Sequence, residues 1–268
     1  MAKKILKDMI SKKELLVGMI QQLIYPEVTE YLADCGLDFL ILDLEHTGHT
    51  IEAANACLLA AAAHNIPMLV RVWEKEQCLI EQVLDAGAQG VVVPTVETVD
   101  ECQMIVRASK YAPQGERGWC NVLPAKRWMN RWEGDTWGDD FSSATFCKKA
   151  NRDTFIAALV ESPEGFKNLP EMLKIDGIDC FMLGAGDLSI RMGKTLWDAE
   201  VNAMVYDAVR QIVAAGKQCC PLATSENIVD LRHYGAGMVM LGCSERTGLQ
   251  AYMRTEVREI KEKAAFSH

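Results

Sequence analysis

The sequence predicts a (β/α)8 barrel, a parallel sheet closed on itself and wrapped in helices. Three observations predict it: eight short apolar runs recur along 268 residues, amphipathic stretches lie between them, and the runs are apolar nearly throughout. A strand that is apolar on both faces must be buried on both, which a parallel sheet covered by helices provides. Eight strand–helix units in about 250 residues match the size of such a barrel. An open doubly wound sheet is the structural alternative.

Taken in order, the strands are expected at 15–20 (LLVGMI), 38–44 (DFLILDL), 68–72 (MLVRV), 90–95 (GVVVPT), 155–161 (FIAALVE), 179–184 (DCFMLG), 218–223 (QCCPLA) and 238–242 (MVMLG). Helical periodicity falls between them at 51–64, 75–86, 97–109, 164–174, 198–215 and 225–234, and 246–264 closes the chain. Three helices carry their own stop signals, Asp85-Ala86-Gly87, Ala215-Gly216 and Tyr234-Gly235, with glycine supplying the left-handed residue that ends a helix. No repeat of fixed period and no Pro/Ser linker divides the chain, so one barrel domain is expected over 1–268. One stretch breaks the rhythm. Residues 111–153 hold Pro113, Gly115, Gly118, Pro124, Gly134 and Gly138 together with Trp119, Trp128, Trp132 and Trp137. A connection that long is a lid or binding loop, a subunit contact or an aromatic-anchored excursion on the barrel rim, or carries short helices of its own.

Composition narrows the function. With 49% hydrophobic and 24% charged residues the chain is globular, not disordered. A formal net charge of -9 repels phosphate backbones and argues against nucleic acid as a partner. No apolar run approaches the roughly 20 residues of a membrane span. The opening MAKKILKDMISKKELLVGMI breaks its apolar stretches with charge and does not read as a signal peptide. The 10 cysteines are scattered without a CxxC, as expected of a reduced, cytoplasmic protein that uses cysteine as a small hydrophobe.

In a barrel, chemistry gathers at the C-terminal ends of the strands. Those positions here hold Asp43, Glu45 and His46 after the second run, Arg71 at the end of the third, Glu161 at the end of the fifth and Gly184-Ala185-Gly186-Asp187 after the sixth. Glu161 and Asp187 would make a hard oxygen site for a divalent cation. Alternatively, Asp187 caps the turn that follows and Glu161 pairs with a rim cation. His46, close behind two acids, is a candidate general acid or base. With His49 alone as a further nitrogen, zinc is not indicated. Arg71 at the end of a buried strand needs an anionic partner: a substrate oxygen, or a salt bridge to Asp43 or Glu45. GAGDLS begins like a dinucleotide fingerprint but has Ser189 where the third glycine belongs. No expected strand ends in the lysine a Schiff-base aldolase needs; Lys75, nearest to such a position, falls in a helix-like segment.

LDLEHTG (42–48), LVRV (69–72), LDAGAQGVVVPTVET (84–98), YAPQGERG (111–118), VESPEGFKNL (160–169) and LGAGDLSIRMG (183–193) together resemble the HpcH/HpaI family of metal-dependent class II pyruvate aldolases. The resemblance runs in order from about residue 14 to about 243. It implies that Glu161 and Asp187 bind a divalent metal (Mg2+, Mn2+ or Co2+) and that Arg71 holds the carbonyl or enolate oxygen. It makes His46 the acid/base residue, oriented by Asp43 or Asp85, and sets Glu45 beside metal-bound water. The amides around Gly184, Ala185 and Gly186 would receive the substrate carboxylate. The implied reaction is reversible cleavage of a 4-hydroxy-2-oxo acid to pyruvate and an aldehyde through a metal-stabilised pyruvate enolate. The implied assembly is a homo-oligomer, a trimer of dimers, with the last helix exchanged between subunits. Two departures lie where substrate shape is read. Leu159 stands where family members often carry Gln, and residues 241–246 read LGCSER instead of the Gly-Ser-Asp-Leu type. A related acyl-CoA lyase and a metal–oxoacid-binding barrel without turnover are the alternatives.

Overall fold

Each of the eight expected runs is a strand: β1 (Leu16–Gln21), β2 (Phe39–Asp43), β3 (Met68–Arg71), β4 (Gly90–Val93), β5 (Phe155–Val160), β6 (Cys180–Leu183), β7 (Gln218–Ala223) and β8 (Met238–Leu241). In this computed structural model, which describes residues 3–12, 15–120 and 143–265, the strands close into one barrel in sequence order. All neighbours are parallel, and β8 returns to β1 through Leu16–Met238 and Val17–Val239. That closing pair excludes the open sheet.

The expected helices are α3 (Ile51–Ala63), α4 (Gln77–Asp85), α5 (Val99–Ser109), α7 (Pro163–Met172), α9 (Ala199–Ala214), α10 (Ile228–His233) and α11 (Glu245–Ala265). Three more were not expected: α1 (Leu6–Ile10), α2 (Pro26–Asp34) and α8 (Ala185–Arg191); α6 (Ser143–Asp153) is a helix within the long connection, one of the readings open for it. α2 opens on Pro26, whose fixed φ suits a first helical turn. α6 turns the end of the long connection into regular structure, and Trp119 is exposed. Trp128, Trp132 and Trp137 lie outside the described residues.

Alternation along the strands separates two cores. One face of the strands packs outward against the helices, with Leu40, Leu42, Val70, Val91 and Ile156 among the buried contacts. The other face fills the barrel with Leu16, Phe39, Ile41, Leu69, Phe155, Ala157 and Met182. Inside a narrow barrel, large and small residues must complement each other. Gly18, paired in register with Phe39, shows this: a Cβ there would lie 2.2 Å from the Phe39 ring. α1 stoppers the N-terminal end of the barrel. Leu6 is fully buried in the interior cluster, and its amide donates to Gln89 Oε1 at 2.8 Å.

Candidate active site

The inward alternation does not stop where the apolar core stops. Along β2 the inward positions run Phe39, Ile41, Asp43; along β3, Leu69, Arg71; from the end of β5, Leu159 then Glu161; from the end of β6, Met182 then Gly184. The polar residues are therefore the next layer above the barrel core, and the barrel's own periodicity aims them at one mouth. A cavity of about 190 Å³ opens there, walled on its polar side by Arg71, Glu161, Asp187 and the Gly184-Ala185-Gly186 backbone.

Arg71 meets both of the partners considered for it. Its Nε and Nη2 donate to Asp43 Oδ1 and Oδ2 at 3.0 and 2.8 Å, and Nη1 lies 3.0 Å from Glu45 Oε2. It also lines the cavity, so the salt bridge fixes the guanidinium without removing it from the mouth. Asp43 is fully buried. Burial would raise its pKa, but the hydrogen bonds and charge of Arg71 outweigh burial and hold the carboxyl below its ordinary value. Glu45 is the reverse case: burial outweighs Arg71 and raises its pKa.

Glu161 is buried and, among the described residues, takes no lysine or arginine as a hydrogen-bond partner. Its Oε1 accepts from both the amide and the hydroxyl of Thr95, each at 2.8 Å. Burial first, and then the charge of Asp187, raise its pKa against those hydrogen bonds. Asp187 sits in the first turn of α8 but does not cap it; Gly184 is the N-cap, without a side-chain hydrogen bond. Gly184 is small for a reason, since a Cβ there would lie 2.8 Å from Glu161 Oε2. The glycine keeps open the carboxylate oxygen that Thr95 leaves free. The Gly184 amide donates to Val160 O at 2.9 Å, so Ala185 and Gly186 carry the amides left over at the helix start.

His46 stands at the rim with its side chain 58% exposed, and its Nε2 lies 3.8 Å from Glu45 Oε2. Asp43 reaches only the backbone of this residue, accepting from the His46 amide at 3.3 Å. Asp85 is not brought to His46 within the chain. It ends α4, which runs back to the opposite face of the barrel, and pairs with Arg117 at 2.6 Å. Spacing along a sequence carries no information about which end of the barrel a helix terminus occupies. Asp43 and Asp85 are thus each engaged by an arginine, and Glu45 is the carboxylate beside the ring.

Sequence reasoning missed Thr95 and Gln22. Thr95 adopts φ of 49°, unusual for a β-branched residue, and that conformation turns both of its donors onto Glu161. Gln22 gives a long 3.4 Å bond from Nε2 to Asp43 Oδ2 and accepts from Ser244 Oγ at 3.1 Å. Its amide donates to Glu245 Oε1 at 2.6 Å. The first turn of α11 is therefore linked to the Asp43–Arg71 pair.

The donor set suits a hard cation. Asp43, Glu45 and Glu161 surround the Arg71 guanidinium, Asp187 acts on Glu161 across the cavity, and the donors that Glu161 and Asp187 offer are carboxylate oxygens. Among the described residues no set of three or more His, Cys, Asp or Glu forms a complete cage, so a cation here would take its remaining ligands from water and substrate.

Comparison with known proteins decides the family. Residues 17–244 match the model of the HpcH/HpaI aldolase/citrate lyase family. The chain belongs to this family. It is 32% identical to a hydroxypyruvate/pyruvate aldolase of Deinococcus radiodurans over 92% of this chain and 86% of that protein. It is 32% identical to a 2-keto-3-deoxy-L-rhamnonate aldolase of Escherichia coli, covering 88% of this chain and 85% of the relative. Among solved structures, an HpcH/HpaI aldolase from Desulfitobacterium hafniense superposes with a TM-score of 0.86 at 25% identity, covering 96% of this chain and 97% of the other. The citrate synthase SbnG superposes equally well, with a TM-score of 0.86 at 26% identity over 97% of this chain and 99% of SbnG.

Proposed function

We propose that this protein cleaves a 4-hydroxy-2-oxo acid to pyruvate and an aldehyde, and catalyses the reverse condensation, at the mouth formed by Arg71, Glu161 and Asp187. It is a carbon–carbon lyase of the class II aldolase type, in keeping with relatives named as aldolases. The observation that carries the reading is the convergence of Arg71, Glu161, Asp187 and the Gly184-Ala185-Gly186 backbone on one cavity. Glu161 and Asp187 would hold a divalent cation (Mg2+, Mn2+ or Co2+), with Glu45 close by. When bound, that cation supplies Lewis acidity to the 2-oxo oxygen.

The chain's own residues supply the rest. The amides of Ala185 and Gly186 receive the substrate carboxylate. Arg71, preorganised by Asp43, faces the 2-oxygen on which negative charge grows as the C3–C4 bond breaks. His46 Nε2, at the exposed rim beside Glu45, takes the proton of the 4-hydroxyl as the aldehyde forms and returns it in condensation.

Self-association belongs to the same reading. α11 has no buried residue, and it exposes Leu249, Tyr252, Met253, Val257 and Ile260, a face that a second copy would cover. This supports a homo-oligomer; the trimer of dimers with an exchanged helix rests on the family resemblance. Among the described residues no helix is long and apolar enough to cross a membrane. The 10 cysteines are all free thiols, in keeping with a reducing, cytoplasmic setting. An acyl-CoA lyase would need a basic surface for the CoA phosphates, and the net charge of -9 does not favour one.

Chelation should abolish both retro-aldol cleavage and oxaloacetate decarboxylation, and Mg2+, Mn2+ or Co2+ should restore them. Glu161→Gln and Asp187→Asn should weaken Mn2+ binding in a direct titration while leaving the thermal unfolding of the metal-free chain near the parent's. Full activity after exhaustive chelation would overturn the reading.

A further inference from the structure

The cavity beside Glu161 and Asp187 is polar on one wall only. Arg71, Glu161 and Asp187 are the polar side chains that line it. Its other walls include Ile20, Ile41, Leu159, Met182, Leu222 and Met240, contributed by six different strands. Each is the uppermost apolar inward residue of its strand, so the chamber lies at the upper end of the barrel core. The cavity of about 190 Å³ spans both the polar wall and this apolar layer. A ligand whose carboxylate lies on the Ala185–Gly186 amides and whose 2-oxygen faces Arg71 directs its third carbon away from the polar wall and into this layer.

We propose that the chamber is a binding site for an apolar substituent on C3 of the 2-oxo acid. The enzyme then takes straight-chain 2-oxo acids longer than pyruvate as the nucleophilic partner, with Leu159 as a specificity-determining residue; this rests on the aldolase reading above. Leu159 lies two residues before Glu161 on the same inward face, and its Cδ1 comes within 3.3 Å of where a Cβ on Gly184 would stand. It therefore packs against the Gly184 turn that borders Glu161. A C3 hydroxyl, as in hydroxypyruvate, loses its water on entering and meets no side-chain partner from these six residues, whereas a methylene gains from burial. In the condensation, a proton leaves C3 of 2-oxobutanoate, the C3 carbanion forms the new bond to the aldehyde carbon, and the aldehyde oxygen takes up a proton. No oxidant or further reactant is required.

The test uses the full-length protein with Mg2+ in D2O. Loss of the C3 protons of pyruvate, 2-oxobutanoate, 2-oxopentanoate and hydroxypyruvate is followed by NMR, and calorimetry measures binding of the same four acids. 2-Oxobutanoate should bind more tightly than pyruvate by up to roughly fourfold, the effect of one buried methylene. Its exchange should proceed with a kcat/KM at least tenfold above that of hydroxypyruvate. Leu159→Gln should reverse that order by giving the hydroxyl a partner, and Leu222→Asn offers a second polar wall if Leu159→Gln does not fold. Exchange of pyruvate accompanied by equal or better handling of hydroxypyruvate in the unaltered protein would overturn the inference and leave the aldolase reading intact. If pyruvate itself fails to exchange, the aldolase reading fails and the inference falls with it.

Discussion

Arg71 faces Asp43, Glu45 and Glu161 at once, and its pKa is raised by all three against the effect of burial. Removing it therefore has two consequences. Arg71→Ala should lower kcat by roughly 10²–10³, the scale for one preorganised oxyanion donor, while Mn2+ binding persists. It should also destabilise the chain by about 3–5 kcal/mol, because fully buried Asp43 loses its partner. Arg71→Lys should recover stability better than turnover, since an ammonium cannot reproduce the two-pronged bond. Steady-state kinetics and thermal unfolding of the same preparations check both. A second buried cation sits far from the mouth. Lys110 is 4% exposed, and its ammonium donates to the carbonyls of Asn151 and Thr154. Burial first, and then the nearby Lys7 charge, push its pKa down to about 7, with Asp179 and Asp153 opposing. A lysine whose folded pKa is depressed carries its burial cost in full below the folded value, and the cost fades as pH rises toward the unfolded value. The stability of the parent relative to Lys110→Met should therefore increase between pH 7 and pH 10. Chemical denaturation across that range checks the sign.

Individual elements succeed or fail by whether they complete the barrel. α1 is only five residues long, too short to be stable alone, and survives because Leu6 and its neighbours Met9 and Ile10 close the barrel floor. Leu6→Ala should cost about 2–5 kcal/mol with kcat unchanged, since the floor lies at the opposite end from Arg71. Gly18→Ala should destabilise by overpacking, on the order of 1–3 kcal/mol, because the added methyl enters the Phe39 ring and must displace the β1–β2 pair. Urea unfolding midpoints at constant slope report both changes.

At the scale of the molecule, α11 is the element that its own chain leaves bare. Its apolar side chains gain nothing from solvent, and burial at about 25 cal/mol per Å² is what a second copy would supply. Placing glutamates at Leu249, Met253 and Val257 should shift the protein to a smaller species in light scattering. The link from Glu245 through Gln22 to Asp43 makes a fall in kcat the expected companion of that dissociation. Unchanged mass in solution would show that the face serves something other than self-association.

What the sequence by itself determined was the barrel and the charged side chains that top its strands. Eight doubly buried runs leave few ways to satisfy their backbone groups, and period-2 alternation carried past the last apolar residue lands on Asp43, Arg71 and Glu161 without any coordinates. Tertiary structure alone decided the pairings within that layer. Asp43 meets Arg71 because β2 and β3 are in register at those two residues, and Thr95 reaches Glu161 through a backbone conformation that nothing in its side chain advertises. Asp85, close to the other candidates in sequence terms, is carried to the far face because a helix returns the chain to where the next strand begins. Alternation is a local property that a sequence displays; register, and the end of the barrel at which a residue emerges, follow only once distant strands have paired.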